Sequence, residues 1–166
     1  PGDYTAVANV LKAVRPYITV FSSSGYINDL ANGSICVALG WSGDINIARQ
    51  RAIEGKTGNN IEALIPKNGG LLFFDVMVIP ADAAHPGNAH KFINFMLDGK
   101  NAAELTNEVG AGNPNQAAMP NVKPEITKLS AIFPSKEALP KLQQLQDLNG
   151  KQRRELNKLW SEIKLK

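Results

Sequence analysis

The apolar run Ile35-Cys36-Val37-Ala38-Leu39, closed by Gly40 and followed by a helical pattern from about Ile45 to Glu54, constrains the fold more than any other feature. A run without polar alternation suits a strand buried on both faces, and such strands belong to parallel sheets covered by helices. The preceding segments repeat the alternation. Asp3 is placed to N-cap a helix carrying the stripe Val7, Val10, Leu11 and Val14, which ends near Arg15-Pro16. Ile18 to Phe21 reads as a short strand, and Tyr26 to Asn32 as a helix closed by Gly33. The α-β-α-β-α order predicts an α/β fold with a parallel sheet flanked by helices.

Residues 55–60 read as a linker into a second unit. Strands are expected over Glu62 to Ile65 and from about Leu71 to Ile79, separated by a turn from Pro66 to Gly70. Pro86 and Gly87 introduce an amphipathic helix with Phe92, Ile93, Met96 and Leu97 inward, and another helix covers roughly Asn101 to Val109. Residues 110–124, with three prolines and two glycines, form an irregular stretch, the kind of segment that tends to carry function or motion. Phe133-Pro134 and Leu139-Pro140 punctuate a return crossing to a last helix striped with Leu156, Leu159, Trp160 and Ile163.

Composition removes several function classes. With 43% hydrophobic and 20% charged residues the chain reads as globular, and its longest apolar runs are broken by Asp75. None approaches the roughly 20 apolar residues of a membrane helix. The net charge of +3 is misleading: the last sixteen residues alone carry +4 and leave −1 on residues 1–150. A basic tail helix is ordinarily a solvated face, so no nucleic acid is expected as a partner. Cys36 is the only cysteine and reads as a buried small hydrophobe. No spaced set of His, Asp and Glu resembles a metal site, Gly69-Gly70 is not a phosphate loop, and no cofactor is expected. The chain opens at Pro1-Gly2-Asp3 without methionine or signal peptide, as a processed or truncated product would.

Chemistry concentrates in Gly40-Trp41-Ser42-Gly43-Asp44 and Phe73-Phe74-Asp75, where large rings lie within a few residues of carboxylates near strand ends. Open α/β sheets bind ligands at the carboxyl ends of their strands. A ring face attracts a cation by about 0.5–2 kcal/mol, and a buried carboxylate needs an opposite charge or donors. Together these pairs read as a receptor for an organic amine. Each residue also has an ordinary explanation. Asp44 could N-cap a helix beginning at Ile45, Trp41 could be a core ring, and either Phe73 or Phe74 should face the core by alternation. A carboxylate inside an apolar strand is the hardest to explain away, which singles out Asp75. A competing enzyme reading uses Ser42, because Gly40 to Asp44 nearly forms the G-x-S-x-G elbow of serine hydrolases. Asp44 occupies the place of the final glycine, and the candidate bases His85 and His90 read as surface residues.

The segment from Tyr26 to Asp44, and Phe73-Phe74-Asp75-Val76 followed by Ile79-Pro80-Ala81-Asp82-Ala83, closely resemble the periplasmic polyamine-binding proteins of bacterial ABC transporters, nearest to the putrescine- and spermidine-binding branch. The resemblance runs across almost the whole chain. It implies the C-terminal portion of a two-lobe periplasmic binding protein (type II) with mixed, mostly parallel sheets. Residues 1–58 would be part of one lobe and 59–134 part of the other, with 135–166 returning to pack on the first. It further implies that Trp41 stacks on the ligand, Asp44 pairs with a nitrogen, Phe73 lines the methylene chain and Asp75 anchors another ammonium. The implied partner is a transporter permease and the implied compartment the periplasm. The family often has a tyrosine in the loop before an Asn-rich stretch, where this chain has Gly110-Ala111-Gly112. With the N-terminal half absent, weak or no binding is expected of this chain alone. Residues 62–134 should then expose apolar surface and dimerise, swap segments or stay loosely ordered.

Overall fold

The computed structural model describes residues 3–165; Pro1, Gly2 and Lys166 of the sequence reading lie outside the described residues. Two compact units emerge, one built from the chain up to Ser23 together with Leu145 onward, the other from Ser24 to Gln144. The boundaries expected at 58/59 and 134/135 both fall inside the second unit, and they stand as a proposal for a longer receptor.

The first unit pairs the opening and closing helices. Helix α1 (Tyr4–Val14) begins at Asp3, whose side chain accepts from the Ala6 amide at 3.0 Å. Helix α7 (Gly150–Lys164) begins with a capping box of Asn149 and Gln152. Arg15 reaches across, donating from Nε to the Ile163 carbonyl at 3.2 Å and from Nη2 to that of Lys164 at 3.4 Å. A guanidinium among the orphan carbonyls at a helix C-terminus satisfies them and complements the macrodipole. Its other face covers Phe21, which meets Trp160 edge-on at 5.1 Å. Ala8 and Ile163 are buried, whereas Val7, Val10 and Val14 are exposed, which corrects the stripe expected of α1. Ile18 to Phe21 joins no ladder, so the short strand expected there is not formed.

The second unit holds α2 (Tyr26–Asn32), α3 (Ser42–Glu54), β1 (Gly70–Leu72), α4 (Pro86–Leu97), α5 (Gly99–Val109), α6 (Pro124–Thr127) and β2 (Leu142–Gln144). Its interior divides into two small clusters. One gathers Ala102, Ala103, Ala118, Val122, Ile126 and Ile132; the other packs Ile35, Ala38, Ile45 and Ile61 around Tyr26, Leu30 and Ala48. Strands β1 and β2 pair in parallel, with Gly70 opposite Leu142 and Leu72 opposite Gln144. Gly69, at φ +105°, turns the chain into β1 against the Lys141 carbonyl.

Several strand expectations are corrected here. Ile35 to Leu39, Glu62 to Ile65 and Phe73 to Ile79 join no ladder. Val37, Leu39, Val76 and Val78 are solvent-exposed, and so is Cys36, expected to be buried. The apolar run asks for neighbours on both faces, but of Ile35–Leu39 only Ile35 and Ala38 pack on the α2–α3 cluster among the described residues. Similarly, α4 half-buries Ile93 and Met96 while Phe92 and Leu97 stay exposed.

Candidate functional site

Helix α3 begins at Ser42 with Trp41 as its N-cap residue, three residues earlier than the pattern placed it. Asp44 therefore sits within the first turn instead of capping it, where a carboxylate still favours the positive end of the helix dipole. The Trp41 carbonyl accepts from the Ile45 amide at 3.1 Å. Trp41 and Phe73, distant in sequence, touch edge to face with ring centroids 4.8 Å apart and planes at 64°. Both rings remain about half exposed, so the pair presents open aromatic surface and is not the core ring considered for Trp41. Phe74 is exposed as well, and neither phenylalanine is buried as alternation required.

Sequence reasoning missed the residue that organises this turn. Tyr26, the first residue of α2, is only 5% exposed. Its hydroxyl donates to Asp44 Oδ2 at 2.5 Å and accepts from the Trp41 amide at 3.1 Å. Burial, and then the hydrogen bond to Asp44, push its pKa up to about 12. Losing the proton would set a phenolate in a poorly hydrated place beside a carboxylate. Gly40 admits the ring, since a Cβ there would lie 2.5 Å from Cε2 of Tyr26. The available signal was chemical: a tyrosine facing a hydrophobic cluster must find a partner for its hydroxyl.

Residues Gly110-Ala111-Gly112 close on the same turn. A Cβ on Gly43 would lie 3.5 Å from that of Ala111, so a methyl group faces the turn there. Asp75 follows Phe73 by two residues on an extended segment, exposed, and forms no hydrogen bond or ion pair with the described residues. The structure thus joins Trp41, Asp44 and Phe73 through direct contact or through Tyr26. It leaves Asp75 adjacent in sequence and unengaged. A cavity of about 390 Å³ lined by Ile45, Asn46, Arg49, Glu62, Lys128 and Ile132, among others, contains none of these four.

Ser42 forms no hydrogen bond with His85 or His90, and both histidines are exposed. Among the described residues no group of three or more His, Cys, Asp or Glu is placed to hold a metal, and no helix is long and apolar enough to cross a membrane.

The family model of the bacterial extracellular solute-binding proteins matches residues 1–134. The putrescine/cadaverine-binding protein of Pseudomonas aeruginosa is 45% identical over 166 residues, which is all of this chain and 47% of that protein. The putrescine-binding periplasmic protein of Escherichia coli is 42% identical over 98% of this chain and 44% of its own length. A solved structure from Listeria monocytogenes, assigned as a spermidine/putrescine ABC transporter, superposes at a TM-score of 0.76 with 29% identity. It covers 96% of this chain and 48% of that one. The chain spans about half the length of the relatives it matches. These relatives bear names of binding proteins, which gives the hydrolase reading of Ser42 no support.

Proposed function

This chain belongs to the bacterial extracellular solute-binding protein family, and from that premise we propose that it is part of a receptor for a polyamine of the putrescine or spermidine type. The observation that carries the reading is the Trp41–Phe73 ring pair beside a held carboxylate, Asp44, with the unengaged Asp75 two residues beyond Phe73. Each ammonium takes one carboxylate through charge-assisted hydrogen bonds, and the methylenes between them lie against ring faces. Charge count and charge spacing would then select the guest. The receptor works in the periplasm and delivers its ligand to an ABC transporter permease.

The test is calorimetry on a hybrid in which this sequence replaces the matched half of the 45%-identical Pseudomonas aeruginosa protein. Putrescine, cadaverine, spermidine and spermine are titrated beside 1,4-butanediol, the uncharged counterpart of putrescine. Binding of at least one amine with none of the diol is expected. Equal affinity for amine and diol would refute carboxylate–ammonium pairing.

Alone, the chain is expected to self-associate, since the second unit exposes Val37, Leu39, Leu64, Leu71, Val76 and Val78. Unpaired extended segments with apolar side chains are templates for pairing with another chain. The missing half of a longer receptor, or a second copy exchanging segments, would cover them. Sedimentation should give a mass above 17.9 kDa at micromolar concentration and weak or no amine binding. A sharp monomer with slow amide exchange over residues 62–79 would contradict this.

A further inference from the structure

The geometry points to Tyr26 as a positioning residue whose hydroxyl takes up part of one Asp44 oxygen, fitting that end of the site better to an aliphatic ammonium than to a guanidinium. The inference rests on the amine-receptor reading above and adds a head-group preference to it. One phenolic oxygen is spent twice: its proton goes to Asp44 Oδ2, and its lone pair receives the Trp41 amide. The same atom therefore fixes the backbone that carries the aromatic ring and the carboxylate that neighbours it. Burial of Tyr26 and the absence of a Cβ at Gly40 hold the phenol in place.

The consequence follows from the shapes of the two cations. A guanidinium binds a carboxylate best through two parallel N–H···O bonds, one to each oxygen. With Oδ2 already accepting the Tyr26 hydroxyl, one arm of that fork must share its oxygen with the phenol and compete for the remaining lone pair. An alkylammonium is a compact charge whose three donors point apart, so it is served by Oδ1 alone.

Tyr26→Phe tests this, because it keeps the ring and its packing and removes only the hydroxyl. On the chain itself, amide exchange at Trp41 should accelerate at least tenfold while Ala48 to Ala52 in α3 keep their protection. In the hybrid receptor the unsubstituted site should prefer putrescine over 1,4-diguanidinobutane, the same four-carbon chain with a guanidinium at each end, by at least tenfold. Tyr26→Phe should bring the two within threefold. Unchanged exchange at Trp41, an unchanged ratio, or a uniform loss of protection along α3 would each overturn the proposal, the last because it marks a role in folding only. Failure of the unsubstituted hybrid to bind any amine would sink the receptor reading and the head-group preference with it. Exchange at Trp41 reports separately on the Tyr26 strut.

Discussion

Asp75→Asn should weaken diamine binding to the hybrid receptor by about 2 kcal/mol, roughly thirtyfold in Kd, while leaving the fold intact. The size follows from the loss of a charge-assisted hydrogen bond, with the ammonium left facing a neutral amide. The clean separation of binding from stability follows from the environment of Asp75, which is exposed and has no intramolecular partner to lose. Its melting temperature should therefore stay close to that of the parent, as for surface substitutions generally. Asp44→Asn makes the instructive contrast, since Asp44 also receives the Tyr26 hydroxyl and its loss disturbs the turn as well as the charge. Calorimetry with matched thermal melts reads both quantities. Unaltered affinity for every diamine would remove Asp75 from the site.

Gly69→Ala should be the most damaging single methyl group, lowering stability by about 3 kcal/mol and Tm by roughly 6–12 °C. A Cβ at this position would lie 1.9 Å from the Lys141 carbonyl oxygen, which is backbone and cannot rotate aside. The residue also adopts φ +105°, a conformation that side chains resist. Relief would require β1 to part from β2, and these are the paired strands of the described residues. Gly58→Ala serves as the control: φ is also positive there, at +80°, but nothing lies within 4 Å of the added carbon. It should cost only the conformational strain, about 1 kcal/mol. Equal melting losses in the two variants would show that the contact with Lys141 contributes nothing.

Helix positions were legible in the sequence because their signals are local. Asp3 announces α1 and the pattern through Asn32 announces α2, each within a few residues of where the backbone turns. Helix α3 began early because Trp41 provides no side-chain cap, so nothing marks the true start. Strand pairing was not legible. The runs at Ile35–Leu39 and Phe73–Ile79 have strand composition, but a ladder depends on what lies alongside, and among the described residues only β1 finds a parallel neighbour, in β2. The site was half legible for the same reason. Rings and carboxylates could be named from types and spacing, yet the bond between Tyr26 and Asp44 spans eighteen positions and leaves no periodic trace. Exposure at Val7, Val10 and Cys36 was likewise missed, since apolar character states what a side chain prefers and not whether a cover is present.

Arg15 donates to carbonyls of residues 163 and 164, so α1 is tied down by bonds that span 148 and 149 positions of sequence. On a ribosome, where segments acquire structure in order of emergence, α1 must wait unsheltered until α7 has followed it out. Removing the last turn of α7 would take away both acceptors of Arg15, and proteases would then find their first cut in α1.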